Sequence, residues 1–203
     1  MYTLIRQYNF ADIVVVDGNT THCTHVPMIL SEDGTKLVGH VSRENPVGKV
    51  LLSSPLPSSL GEMLCIFRGP HAYISPTYYK SQQMVPTWNY AAVHVRGTAR
   101  PVESDIESLN VLKQLSEFHE KALVQLDGRE PWSMKTSISS SKVEAMLRLI
   151  VSFAVDITSM EGQWKLSQNR NPADYNSVIE HLQMHPDGSD AQGVAQMMAS
   201  TPK

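Results

Sequence analysis

Cysteine is nearly absent: Cys23 and Cys65 are the only two in 203 residues. Two thiols cannot build a disulfide framework, and both lie in apolar, strand-like sequence where a free cysteine acts as a small buried hydrophobe. No apolar run reaches membrane-spanning length. The opening Met1-Tyr2-Thr3-Leu4-Ile5-Arg6-Gln7 lacks the apolar centre of a secretory signal, so the expected location is cytoplasmic. Runs of Lys or Arg are also missing, and the net charge is −3. Such a chain has no global field to draw in nucleic acid, and any DNA contact would need a local basic patch. What is present is ordinary for a globular protein: 41% hydrophobic and 18% charged residues, in a chain long enough to bury a real core.

The first half reads as short strands joined by turns. Ile13 to Val16 is a β-branched run stopped by Asp17-Gly18-Asn19, a hairpin signal. His22 to Leu30 alternates, with Val26, Met28 and Leu30 on one face and Cys23, His25, Pro27 and Ile29 on the other. That parity sets His22 and His25 on opposite faces, which argues against a shared metal ion. A turn at Ser31-Glu32-Asp33-Gly34 leads to a strand at Lys36–His40, then a short helix through Leu52 that Ser42 can cap, with Asn45-Pro46 at its first turn. Its free N–H groups beside His40, Arg43 and Lys49 form either a phosphate seat or an ordinary capped surface helix. A loop at Pro55–Ser59 and a strand at Glu62–Phe67 follow.

Gly69-Pro70-His71 to Pro76, with Val85-Pro86-Thr87-Trp88-Asn89-Tyr90, is expected to be a loop-rich centre between two strands. It suits either a binding site held on a β scaffold or an aromatic contact between subunits. The next strand runs from Ala91 to about Val102, with Gly97 as a bulge or close approach.

Helical periodicity then takes over. Ser104 and Glu107 form a capping box, Ile106, Leu109, Leu112, Leu115 and Phe118 form a stripe, and Asp127-Gly128 ends the helix. A second helix carries Val143, Met146, Leu147 and Ile150, and a last strand runs from Val151 to Thr158, before a turn at Glu161-Gly162. Asp174–Gln183 is a terminal helix, and residues 185–203 read as a flexible tail after a domain at 1–184. The fold class expected is α+β, mainly β: a small antiparallel barrel with helices inserted late and at the C-terminus.

Four separated segments, in order, carry a resemblance: Thr24-His25-Val26-Pro27; Gly39-His40 with Arg43-Glu44-Asn45-Pro46; the Gly69–Pro76 and Val85–Tyr90 pair; and Glu161-Gly162 with Lys165-Leu166-Ser167-Gln168-Asn169-Arg170. From about Leu4 to about Leu182 the chain resembles the PaiB family of FMN-binding split-barrel proteins, described as negative transcriptional regulators. Its N-terminus is shorter than the family pattern, and Arg68 and Thr77 are polar variants. The resemblance implies a split β-barrel of the pyridoxamine-phosphate-oxidase type, a homodimer with FMN at the subunit interface. It implies His40, Ser42 and Arg43 at the phosphate, and Thr24, His25 and Pro27 along the ribityl chain or ring. Trp88, Asn89 and Tyr90 would close the site, with Lys165, Gln168 and Asn169 from the other chain.

No motif fixes a reaction. The first expectation is a flavin-binding negative regulator, acting directly or indirectly. The alternative is an FMN-dependent oxidoreductase in which His25, His71 or Tyr73 gives protons. The third is a haem-binding split barrel, for which no single His stands out.

Overall fold

The computed structural model describes residues 1–53, 60–185 and 189–201. Two compact units divide the chain: Met1–Phe67 with His94–Met160, and Arg68–Val93 with Glu161–Lys203. The expected loop at Pro55–Ser59 lies outside the described residues.

The first unit begins with α1 (Tyr2–Gln7), which buries Leu4 and Ile5. β1 (Phe10–Asp17) and β2 (Thr20–Pro27) form the expected hairpin, in register from Phe10 opposite Pro27 to Asp17 opposite Thr20. Gly18 supplies the positive φ of 58° that its turn requires. β3 (Ile29–Leu30), β4 (Lys36–Ser42) and α2 (Pro46–Leu51) follow. Three long strands, β5 (Met63–Ile74), β6 (Thr87–Pro101) and β7 (Ile150–Lys165), each continue from one unit into the other.

The antiparallel strand order is β2-β1-β5-β6-β7-β4-β3. Its two outermost strands, β2 and β3, are separated in sequence by Met28 alone. A sheet whose edges are consecutive in the chain must curl until they meet, and the result is a barrel. Gly39 on β4 marks the closure, since a Cβ there would lie 3.3 Å from the Pro27 carbonyl oxygen and 3.4 Å from Met28 Cγ. Alternate residues fill the interior: Ile13 and Val15 on β1, Cys65 and Phe67 on β5, Leu37 and Val41 on β4, Phe153 and Val155 on β7. Gly97 on β6 is a close approach, because a Cβ there would stand 2.4 Å from the Asp156 carbonyl oxygen.

Three helices follow β6: α3 (Asp105–Asp127), α4 (Met134–Ser137) and α5 (Ser140–Leu147). Ser104 caps α3 by accepting from the Glu107 amide at 3.5 Å, and left-handed Gly128 ends it. The buried stripe is Ser108, Val111, Leu112 and Leu115, whereas Ile106 is 74% exposed. The expected stripe is thus rotated, because α3 rests against β4 on the edge that carries small Ser108.

Four further expectations change. Asn45, not Ser42, caps α2, accepting from the Val47 amide at 2.9 Å, while Ser42 remains the last residue of β4. Glu161-Gly162 lies inside β7 rather than in a turn. The segment after Phe67 stays extended to Ile74, because the inside–outside alternation slips by one at adjacent buried Gly69 and Pro70, as at a bulge. Cys23 is exposed, and only Cys65 is a buried hydrophobe.

The second unit holds the ends of β5 and β7, the start of β6, a single 3-10 turn at Pro76–Tyr78, α6 (Pro172–Gln183) and α7 (Ser189–Ser200). Of the residues expected to form a loose tail, Ser189–Ser200 are therefore a helix. Val194, Ala195 and Met198 of α7 pack with Ile74, Leu166, Val178 and Leu182 in one buried cluster. Small residues let α7 approach closely: a Cβ on Gly193 would meet Pro70 at 2.8 Å. Tyr175 donates to the Met198 carbonyl at 2.7 Å, and Asp174 accepts from the Lys80 and Ser81 amides at 2.8 Å each. The Ser81 amide and the other donors hold the Asp174 carboxyl below the usual carboxylate range. Among the described residues no helix is long and apolar enough to cross a membrane.

Candidate functional site

Within the first unit, β2, β4 and the start of α2 position six of the candidate residues. Thr24 points toward the barrel interior, opposite Ile13, and its Oγ1 accepts from Asn45 Nδ2 at 2.9 Å. That bond ties β2 to the cap of α2. His25 points to the other face of β2, where its Nδ1 pairs with Asp12 Oδ1 directly across the hairpin. Pro27 ends β2, half-buried.

His40 and Ser42 share the outer face of β4. His40 lies opposite Ser152 of β7, and neither His40 Nδ1 nor Ser152 Oγ has a hydrogen-bond partner although both atoms are buried. Burial lowers the pKa of this imidazole, so it is held neutral. Ser42 Oγ accepts from the Glu44 amide at 3.2 Å. Arg43 is exposed, and its amide donates to the Leu149 carbonyl at 2.9 Å. The structure thus brings Thr24 to the helix cap and sets His40 and Ser42 on one face of β4, while Arg43, next along the chain, lines a cavity between α3, α4 and α5. It turns His25 away onto a different face.

Within the second unit the remaining six fall into two groups. Trp88 and Tyr90 stand on one face of β6 and, with Arg68, Gly69 and His71, line a half-open pocket of about 290 Å³ over Ala91 and Ala92. Trp88 is 51% exposed. Its indole lies 6.1 Å from the His71 ring and 6.0 Å, edge-on, from Tyr73. His71 Nδ1 lies 3.3 Å from Asp190 Oδ2 on α7. Asn89, between the two aromatics, faces inward and is wholly buried. Its Nδ2 donates to Met198 Sδ at 3.4 Å, and its Oδ1 accepts from Ser167 Oγ at 3.1 Å. Lys165 Nζ donates to Thr87 Oγ1 at 2.7 Å. Gln168 folds on its own turn, accepting from the Leu166 amide at 2.8 Å and donating to the Trp164 carbonyl at 2.7 Å, and Asn169 is exposed.

Three side chains that lie against candidate residues escape a reading of the sequence. Asp12 could have been found: the turn that sets Asp17 opposite Thr20 also sets Asp12 opposite His25. Asn45 is placed by the sequence at the first turn of α2, but neither its cap nor its bond to Thr24 shows there. Ser152 carries no local signal at all, because its place opposite His40 depends on β7 pairing with a strand more than a hundred residues away.

With this geometry in place, the chain's similarities can be stated. The family described as "Putative FMN-binding domain" matches residues 1–159. The "Protease synthase and sporulation protein PAI 2" of Bacillus subtilis is 31% identical over 202 residues, covering 98% of this chain and 89% of that one. Among solved structures, the FAD and haem binding protein of Mycobacterium smegmatis superposes with a TM-score of 0.55 at 11% identity, covering 86% of this chain and 74% of that one. A "putative 5-nitroimidazole antibiotic resistance protein" of Bacteroides thetaiotaomicron gives a TM-score of 0.53 at 16% identity, covering 79% of each. At such identities the two structures speak for the fold alone, a split barrel. The family match and the Bacillus relative go further, and the chain belongs to the PaiB family of FMN-binding split-barrel proteins, whose cofactor is an FMN-type flavin.

Proposed function

We propose that this protein holds FMN in a homodimer and acts as a negative regulator of transcription through the state of that flavin, not through its own contact with DNA. The observation that carries the reading is the open pocket on β5 and β6, with its indole and imidazole walls above a floor of glycine and alanine. A flat heteroaromatic ring needs aromatic walls and small residues beneath it. Exposed Arg68 and His71 at the same pocket offer polar atoms for a ring edge.

The phosphate end also fits. His40 presents a buried, unpartnered ring nitrogen beside Ser42, and Arg43 extends exposed from the same strand end. A guanidinium with a hydroxyl is a strong phosphate-binding pair. In a homodimer the ring pocket of one copy and the phosphate seat of the other would share one flavin. Bound FMN supplies one- and two-electron redox chemistry; the protein's part is to orient it and set its surroundings.

A regulatory role is supported by the name of the Bacillus relative, which refers to protease synthesis and sporulation. The net charge of −3 favours an indirect route over direct DNA binding. The oxidoreductase reading has one observation in its favour: Asp190 fixes His71 through Nδ1, leaving Nε2 to carry a proton at the ring pocket. Haem binding has no such support.

Titration of cofactor-stripped protein with FMN, followed by flavin fluorescence, tests the reading. Saturation at one flavin per chain is expected, and Arg43→Ala should cost on the order of 1.5–3 kcal/mol of FMN affinity with the fold intact. No saturable binding would overturn the proposal. Salt-sensitive DNA binding by the protein alone would overturn the indirect route, steady flavin turnover with a nicotinamide donor would favour the enzyme, and a Soret band would favour haem.

A further inference from the structure

A large cavity of the first unit shares only Arg43 with the features used above. It occupies about 1230 Å³ between α3, α4 and α5. Its wall is mixed, with an apolar part made by Leu109 on α3, Trp132 before α4, Ile138 between α4 and α5, and Val143 and Leu147 on α5, and a charged part around it. None of these residues is fully buried, and α5 has no buried residue at all. An amphipathic helix ordinarily covers its apolar stripe against a core. Here that stripe, and the second stripe of α3, face open space.

The charges around the cavity are unevenly committed. Glu117 pairs with Lys113 at 3.8 Å, and Glu120 accepts from the Trp132 amide at 2.9 Å. Arg43 and Arg148 both line the cavity, and the Arg43 amide donates to the carbonyl of Leu149, the residue after Arg148, at 2.9 Å, which brings the two stretches of backbone together. Among the described residues no carboxylate pairs with either guanidinium, although Asp105 and Glu144 line the same cavity. Two arginines without a carboxylate partner, on neighbouring backbone and lining a chamber with a large apolar surface, complement one ligand chemistry. We infer that the α3–α5 cavity binds an amphipathic carboxylate, an extended or multi-ring apolar body with its anionic head on Arg43 and Arg148. The volume exceeds the roughly 300–1,000 Å³ of common small-molecule sites, which favours a long body over a compact one.

The inference does not rest on the flavin. Arg43 also belongs to the proposed phosphate seat, so the test substitutions avoid it. Calorimetric titration of the full chain with dodecanoate, and with its uncharged methyl ester, is the experiment. Dodecanoate should bind once per chain and at least tenfold more tightly than the ester. Arg148→Glu should weaken dodecanoate tenfold or more and leave the ester unchanged. Val143→Trp, which narrows the chamber, should weaken both tenfold or more, while FMN titration and circular dichroism of each variant match the parent. Absence of dodecanoate binding at millimolar concentration would overturn the inference, as would binding that ignores both substitutions. A change of oligomeric state in Val143→Trp with dodecanoate binding retained would also overturn it, identifying the face as a contact between copies.

Discussion

Replacing Asn89 by alanine removes a buried amide that joins three parts of the second unit. Nδ2 reaches Met198 on α7 at 3.4 Å, and Oδ1 takes the Ser167 hydroxyl at 3.1 Å. The bond to sulfur is weak, worth about 0.5 kcal/mol at the low end of net hydrogen-bond contributions. The larger loss is indirect: Ser167, also buried, keeps a hydroxyl with no acceptor, at about 1–3 kcal/mol. Together Asn89→Ala should destabilise by roughly 2–3 kcal/mol, read as a lowered urea midpoint with an unchanged slope. The pair Asn89→Ala, Ser167→Ala should be more stable than Asn89→Ala alone by about 1 kcal/mol, because removing both partners leaves nothing unsatisfied. A single-variant loss under about 0.5 kcal/mol, or a second substitution that adds to the damage, would refute this account of the buried amide.

Three further outcomes follow from the structure. In Gly97→Ala the new methyl would stand 2.4 Å from the Asp156 carbonyl oxygen and 2.7 Å from Val155 Cγ1, so β6 and β7 must part; a loss of about 1–3 kcal/mol in urea unfolding is expected, and a neutral result contradicts the close approach. His40 titrates below its ordinary value when folded because it is buried. The unfolded chain therefore binds more protons as pH falls through about 6.5, and stability should decline from there down to the folded pKa, with a shallower decline in His40→Gln melting curves; an unchanged slope would remove His40 as the cause. Burial pushes the Cys65 thiol up to about 12, whereas Cys23 is exposed. One thiol should react with a disulfide reagent in the native protein and two in denaturant, and two fast thiols would contradict the buried position of Cys65.

Local chemistry made much of the barrel legible. Asp17-Gly18-Asn19 predicts the first hairpin, and the parity of Val26, Met28 and Leu30 matches the side of the strand that is buried. Ser104 and Gly128 mark both ends of α3. Other features depend on packing between distant segments. Pro70 reads as a loop residue until α7 is seen packed against it, and α7 reads as a tail because its small residues gain a core only from 68–93 and α6. The site shows the same division. The types of residue at 40–43 and 88–90 are legible in order along the chain. The inward turn of Asn89, the opposite facing of Thr24 and His25, and the unpartnered Ser152 are not, since each is set by sheet register or by a helix that arrives later in sequence.

The second unit is assembled from two stretches far apart in the chain, 68–93 and 161–203. During synthesis the first emerges long before the second, and chains grow at about 5–20 residues per second. Throughout that interval Ala72, Ile74 and Tyr79 have no Leu166, Val178 or Val194 to pack against. The aromatic pocket beside them therefore stays unsupported until α7 leaves the ribosome. A premature stop after residue 160 would release a chain with the whole of the family's matched region and a sticky, half-built flank. Such a fragment would leave Ala72, Ile74 and Tyr79 without their core, and aggregation is its expected fate.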